Sequence, residues 1–175
     1  MSAQKTTRFV ALKNAFYPVK LSALLLFSIG TDQYSKYLAV KFLETYEETS
    51  LFNNFLKFSL IENHGGFLGI VNSLPEGVRF FLLNVCVSFL LFGCLVYLFL
   101  IRKKRSRSDI PLVFVIGGGI SNLLDRLIQD GGVTDFLSVG FGEFRTGIFN
   151  LADVYILLGS FILGYYIFST PTKST

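Results

Sequence analysis

Ionisable and amide side chains occur at the ends of several apolar stretches of this chain. They are Asp32, Asn122, Asp125, Arg126, Asp135, Asn150 and Asp153. An ionisable group inside hydrocarbon is costly unless it is paired or lines a wet cavity, so each is a candidate functional residue. Two carboxylates that converge at a low-dielectric interface cannot both ionise cheaply, so one keeps a proton. Such a pair can act as a base toward water and as an acid toward a carbonyl group.

Most of these residues also have a structural interpretation. Asp32 and Lys36 are four residues apart and can form an ion pair along a helix. Asn150 followed three residues later by Asp153 matches a helix N-cap with an acidic third position. Asp135 has apolar neighbours and no basic partner nearby in the sequence. It is therefore the acid that is hardest to explain by structure alone.

The other polar features are weaker indications of chemistry. Asn122 and Arg126 are also four residues apart and, with Asp125, can close a helix as a polar clamp. Gly117 and Ser121 favour close helix packing over a phosphate-binding loop, because the Lys of such a loop and the preceding strand are missing.

His64 and the two cysteines do not indicate a metal site or a disulfide. His64 is the only histidine, so a zinc site lacks a second imidazole, and a loop position is the better interpretation. Cys86 and Cys94 lie in one apolar run and are interpreted as packing residues. We expect neither a metal nor a cofactor.

The composition indicates a membrane protein. The chain has 175 residues, of which 51% are hydrophobic and 16% charged, with a mean hydropathy of +0.55. Ordinary globular domains have about 25% charged residues. This balance excludes a disordered chain, a disulfide scaffold and a multidomain enzyme. We therefore expect one integral membrane domain, 1–175, of the all-α class.

Apolar runs predict four transmembrane helices, at about residues 18–40, 77–101, 110–128 and 148–168. The charge-free core of the first, Leu21 to Thr31, is short of the roughly 20 residues that a crossing needs. Asp32 and Lys36 must therefore lie within or at the edge of the bilayer. The basic start with small residues Ser28 and Gly30 also resembles a cleavable secretory signal, but the helical pattern continues through Leu38, which favours a retained helix.

The segment 41–75, between the first two helices, is too long for a simple turn. Leu56, Phe58 and Leu60 alternate with polar residues, which predicts a strand. Gly65, Gly66 and Gly69 indicate bends. We expect a small extracytoplasmic β-rich piece lying on the membrane surface.

Basic residues set the predicted orientation, because short loops rich in Lys and Arg stay in the cytoplasm. Ten of the 16 basic residues fall on one side: Lys5, Arg8, Lys13, Lys20, Arg102, Lys103, Lys104, Arg105, Arg107 and Lys173. Both termini and the loop 102–109 are therefore predicted to be cytoplasmic, and segments 40–76 and 130–147 to face outward. Topology and anionic membrane lipid explain the basic surplus, so no nucleic-acid partner is expected.

Five segments, in this order on four predicted helices, resemble the lipoprotein signal peptidase family, also called signal peptidase II. They are Asp32-Gln33-Tyr34-Ser35-Lys36, Asn63-His64-Gly65-Gly66, Gly118 to Arg126 (GGISNLLDR), Val133-Thr134-Asp135-Phe136, and Phe149-Asn150-Leu151-Ala152-Asp153. The resemblance covers the chain from about residue 20 to 168.

The resemblance implies an intramembrane aspartyl endopeptidase of the bacterial cytoplasmic (inner) membrane. It would cut diacylglyceryl-modified prolipoproteins before the lipidated cysteine, with its active site at the outer leaflet. Asp135 and Asp153 match the catalytic pair. Seven residues match positions that bind substrate or shape the site: Asp32, Lys36, Asn63, Asn122, Asp125, Arg126 and Asn150. Asn122 and Arg126 would hold the substrate backbone, the outer β-rich segment would cradle the substrate, and globomycin-type compounds would inhibit.

The sequence departs from the family pattern at a few positions. Gly66, Phe67 and Leu68 stand where the family usually has Ala-Ala-Phe, and Ser121 stands where it usually has Gly. These changes spare both expected catalytic acids but leave substrate preference open. Two other functions remain as alternatives: a catalytically silent lipoprotein-binding paralogue, and a small proton-coupled transporter.

Overall fold

The computed structural model describes residues 2–44, 47–66, 71, 73–102 and 105–169; for residues 2–15 it describes the backbone. Four helices occupy most of these ranges. They are α1 (Ser2–Phe42), α2 (Glu76–Ile101), α3 (Asp109–Ile128) and α4 (Leu151–Ser169). Helix α2 contains π-helical turns at Phe81–Cys86 and Tyr97–Ile101.

Within the described ranges, three helices are long and apolar enough to cross a membrane: α2, α3 and α4. Helix α1 has 41 residues and begins at Ser2, well before residue 18, where we expected a span to begin. Its C-terminal half carries Asp32 and Lys36, which lower its hydropathy but are buried in the protein.

Close backbone packing joins the helices around a small apolar core of Leu21, Leu98, Val113 and Ile116. A Cβ atom added to Gly118 would lie 2.5 Å from the Ala152 carbonyl oxygen, so α3 and α4 touch backbone to backbone there. The interpretation of Gly117 as a packing residue is also confirmed, because its missing side chain leaves room for Ser28 of α1.

A four-stranded antiparallel sheet caps one end of the helices. Its order is β1 (Thr49–Leu51), β2 (Leu56–Asn63), β3 (Val133–Phe141) and β4 (Phe144–Arg145). The strand predicted around Leu56 is confirmed as β2. Strand β2 pairs with β3 so that Ile61 is opposite Asp135 and Asn63 is opposite Val133, with a register irregularity between Phe58 and Ile61.

The sheet corrects two expectations. The protein is not all-α, and the β-rich part is not confined to the segment between the first two helices, because β3 and β4 follow α3. Strand β3 is nearly continuously buried over Val133–Phe136, since it lies against α3 on one side and pairs with β2 along its edge. The bends expected at Gly65 and Gly66 are present, with Gly66 in the left-handed region at φ +69°, whereas Gly69 lies outside the described residues.

Candidate active site

A buried group of three charges lies between α1 and α3. The Lys36 ammonium is 2.8 Å from an Asp32 carboxylate oxygen and 2.8 Å from an Asp125 carboxylate oxygen. It also donates a hydrogen bond of 2.9 Å to Asn122 Oδ1. Lys36 is 4% exposed and Asp32 0%, so the three N–H donors of the ammonium are all used inside the protein. The predicted Asp32–Lys36 pair is thus real, with Asp125 as a third member.

The two carboxylates of this group also fix neighbouring backbone. Asp32 accepts a 2.7 Å hydrogen bond from the Ala152 backbone N–H in the first turn of α4, and a 2.8 Å bond from the Ser121 hydroxyl. Asp125 accepts a 3.1 Å bond from the Thr134 backbone N–H in β3. The charge group therefore holds the start of α4 and the start of the strand that carries Asp135.

Asn122 connects this group to the expected catalytic residues. Its Oδ1 accepts hydrogen bonds from Lys36 and from Asn150 Nδ2, the latter at 3.1 Å, and its Nδ2 donates to Asp153 Oδ1 at 2.9 Å. The Asn122 side chain is consequently engaged within the protein. Its contacts within the protein use both Oδ1 lone pairs and one of the two Nδ2 hydrogens.

Asn150 lies between the two expected catalytic acids. It caps α4, because the Asp153 backbone N–H donates to Asn150 Oδ1 at 2.9 Å, while the Asn150 N–H donates to Asp153 Oδ2 at 3.3 Å. The predicted N-cap is therefore confirmed. The same side chain donates from Nδ2 to Asp135 Oδ1 at 2.6 Å. Asn150 thus bonds to both acids, through its side-chain amide to Asp135 and through its backbone N–H to Asp153.

Asp135 is 1% exposed on strand β3. Its other carboxylate oxygen accepts a 2.7 Å hydrogen bond from Asn63 Nδ2 on β2. Burial raises the pKa of Asp135 to about 7; the hydrogen bonds from Asn63 and Asn150 oppose this rise, whereas the nearby Asp153 carboxylate adds to it. Asp135 is thus set to exchange a proton near neutrality.

Arg126 lies in the last turn of α3 with its guanidinium among the acids. Its Nη1 makes a long 3.5 Å contact with the Asn122 carbonyl oxygen, and its buried Nε has no hydrogen-bond partner among the described residues. A buried guanidinium N–H without a partner is costly, so this donor would gain from a hydrogen-bond acceptor.

Of the positions that depart from the family pattern, the structure describes Ser121 and Gly66. Ser121 is fully buried, donates to Asp32 and accepts a 3.1 Å hydrogen bond from Gln33 Nε2, so its hydroxyl belongs to the charge group. Gly66 accepts a 3.1 Å bond from Asn63 through its carbonyl oxygen. Phe67 and Leu68 lie outside the described residues.

Two residues of this network had no role in our sequence interpretation. Gln33 donates to Asp125 at 2.7 Å as well as to Ser121. Thr134 supplies the backbone N–H that binds Asp125. Both lie inside motif segments and next to an acidic residue in the sequence. That position was the signal that could have identified them. His64 instead pairs with the exposed Glu62 at 3.2 Å, and the described residues hold no group of three His, Cys, Asp or Glu side chains that could bind a metal.

Known relatives match this chain over most of its length. The family model of signal peptidase (SPase) II matches residues 24–169. The lipoprotein signal peptidase of Borrelia hermsii is 33% identical over 150 residues, covering 82% of this chain and 86% of the relative. That of Cellvibrio japonicus is 32% identical over 157 residues, covering 89% and 88%.

Two solved structures share the fold. Both are bacterial membrane enzymes determined by the in meso method. The 2.3 Å structure aligns with a TM-score of 0.75 at 20% identity, over 90% of this chain and 93% of the other. The 1.9 Å structure aligns with a TM-score of 0.73 at 18% identity, over 89% and 96%. From its sequence relatives and family model, the chain belongs to the lipoprotein signal peptidase family, signal peptidase II, whose members are bacterial membrane proteases.

Proposed function

We propose that this protein is an intramembrane aspartyl endopeptidase that removes signal peptides from diacylglyceryl-modified prolipoproteins. The observation that carries the mechanism is that Asn150 bonds to both carboxylates: its side-chain Nδ2 donates to Asp135 and its backbone N–H donates to Asp153. Two buried acids held by one residue form a pair in which a single proton can be shared. Membership of the signal peptidase II family supports the substrate class.

In the proposed reaction, one carboxylate of the pair is ionised and the other is protonated. The ionised carboxylate removes a proton from water, the water oxygen attacks the scissile carbonyl carbon, and the protonated acid gives its proton to the carbonyl oxygen. Collapse of the tetrahedral intermediate breaks the C–N bond: the acid that took the proton from water gives it to the leaving cysteine amine, and the hydroxyl formed from the carbonyl oxygen returns its proton to the other carboxylate. Asn63, Asn122 and Asn150 orient the two acids throughout.

We assign a positioning role to the charge group and a substrate role to Arg126. Asp32, Lys36 and Asp125 hold the first turn of α4 and the start of β3, which carry the two acids. The unpartnered Arg126 Nε would donate to a backbone carbonyl of the substrate. The sheet would cradle the peptide above the membrane, and a globomycin-type compound would compete for the same place.

The proposed topology has four membrane crossings, with both termini in the cytoplasm and the site at the outer leaflet of the bacterial inner membrane. For α1, the buried pairing of Asp32 and Lys36 removes much of the cost that their charges would otherwise add to a crossing. The basic residues of the loop after α2 support a cytoplasmic position for that end of the bundle.

A gel-shift cleavage assay tests this function. Purified protein in detergent is given a diacylglyceryl-modified prolipoprotein or the same protein without lipid. We expect the signal peptide to be lost from the lipidated substrate alone. Tight binding without cleavage would instead identify the silent binding paralogue. Proton flux into liposomes that requires the protein, again without cleavage, would identify the transporter.

The pH dependence of cleavage tests the protonation of the pair. If Asp135 is the protonated acid, kcat/KM falls as pH rises through about 7, because the Asp135 proton is then lost. Asn63→Leu removes a hydrogen bond that favours the Asp135 carboxylate, so the pKa of Asp135 rises further. The fall in kcat/KM is then expected at higher pH. The profile is measured with a lipidated peptide.

Thr49→Val on the edge strand β1 is the matched control. It is expected to leave unchanged the pH at which kcat/KM falls, because Thr49 lies on the exposed edge of the sheet. A fall that stays at the same pH or moves to lower pH in Asn63→Leu would show that Asp135 does not supply the proton.

A further inference from the structure

A second polar pocket lies beside the candidate active site, where the start of α2 meets the end of α3. Its volume is about 60 Å³, and its polar lining comes from His64, Glu76, Arg79, Asn84 and Asp130. A water molecule needs roughly 10–15 Å³ of such space, so the pocket has room for a group of hydroxyl or amide size.

Asn84 is an unusual residue for its position. It lies in the π-helical turn Phe81–Cys86 of an otherwise apolar helix and is 6% exposed. Its Nδ2 donates to the Phe80 carbonyl oxygen at 3.2 Å, which fixes the orientation of the amide. Its buried Oδ1 has no partner among the described residues. A buried acceptor without a donor is costly, so a ligand donor that reaches Oδ1 would be favoured.

The charges around the pocket favour a hydrogen-bond donor over an anion. Glu76 and Asp130 each bring a carboxylate, against one guanidinium from Arg79, and His64 pairs with Glu62 outside the pocket. The pocket therefore combines a buried carbonyl acceptor with a mainly acidic rim.

One turn of chain, Asn63–Gly66, separates this pocket from Asp135. On one side of the turn, Asn63 donates to Asp135 at 2.7 Å. On the other side, a Cβ atom at Gly66 would lie 3.1 Å from Leu83, the neighbour of Asn84. An extended peptide advances about 3.3 Å per residue. A peptide cut at Asp135 can therefore cross this turn within a few residues.

We propose that the pocket is a subsite for the mature segment of the substrate, and that Asn84 is its specificity-determining residue. The subsite takes a small side chain with an O–H or N–H donor, such as serine or asparagine, from the first few residues after the lipidated cysteine. It disfavours aspartate and glutamate there. This inference rests on the proposed function, because it needs a peptide that is cut beside Asp135.

A substrate scan tests the subsite. Lipidated peptides carry Ser, Ala or Asp at each of the first positions after the cysteine, and kcat/KM is measured for each. At one position, wild-type protein is expected to prefer Ser over Ala by about three- to tenfold, the worth of one hydrogen bond. Asn84→Leu is expected to remove this preference. Cys86→Ala, an exposed position on the same helix, keeps it.

Binding separates this proposal from the proposed function. Titration of the same peptides into Asp135→Asn protein compares Ser with Ala without turnover. If no peptide is cut by wild-type protein, the proposed function fails, while the binding preference still decides the subsite. Equal binding and equal kcat/KM for Ser and Ala at every position would overturn the subsite. So would a preference that persists in Asn84→Leu, since it would arise elsewhere.

Discussion

Replacing either Asp135 or Asp153 with asparagine is expected to slow cleavage of a lipidated prolipoprotein by about 10²- to 10⁴-fold, the usual contribution of a positioned acid or base. Asparagine keeps a carbonyl oxygen for the hydrogen bonds of the site but can neither take a proton from water nor give one to the scissile carbonyl. The measurement is the rate of signal-peptide release, with folding followed by circular dichroism and size-exclusion elution.

Glu143→Gln provides the matched control, because Glu143 is an exposed carboxylate in the turn between β3 and β4. It is expected to keep wild-type activity. The double variant Asp135→Asn/Asp153→Asn should be no slower than the slower single variant, since the two acids act as one unit. A folded single variant with full activity would remove that residue from the proposed pair.

The second large effect is on stability. Lys36→Met leaves the carboxylates of Asp32 and Asp125 buried with no cation between them, and is expected to lower the free energy of unfolding by about 3–5 kcal/mol. The flexible methionine fills much of the lysine volume, so the loss reports charge more than packing. Unfolding in mixed micelles with increasing denaturing detergent measures it.

Lys41→Met, five residues further along α1, is the control. Lys41 is exposed and lies 5.3 Å from the centre of the Phe42 ring, so its loss is expected to cost at most about 1 kcal/mol. Adding Asp125→Asn to Lys36→Met should restore part of the stability, because it removes one of the unpaired charges. Equal losses for Lys36→Met and Lys41→Met would show that the buried charge group does not stabilise the fold.

Local patterns in the sequence predicted the parts of the site that lie within one element. The Asp32–Lys36 pair follows from helical spacing, and the Asn150–Asp153 cap from the known preferences of helix starts. Strand β2 follows from the alternation at Leu56 and Phe58. These features depend on neighbours a few residues apart, which a single sequence displays directly.

Features that depend on distant neighbours could not be predicted in this way. Strand β3 is buried on both faces at its start. It therefore lacks the alternation of apolar and polar residues by which a strand is recognised in a sequence. Asp125 joins Lys36 across two helices, and the contacts of Asn122 with three partners depend on three separate segments. The sequence indicated only that these residues share one depth.

The two proposed catalytic acids lie on different secondary-structure elements, one in the sheet and one in the helix bundle. Asp135 lies on β3 and Asp153 in the first turn of α4, and β3 is joined to the helices by Asn150, by the bridge that pairs Leu137 with Phe149, and by the Asp125–Thr134 hydrogen bond. The alignment of Asp135 with Asp153 therefore depends on the position of the sheet relative to α4. We therefore expect a detergent that displaces the sheet from α4 to slow cleavage without changing helical content, so size-exclusion elution and activity must accompany circular dichroism.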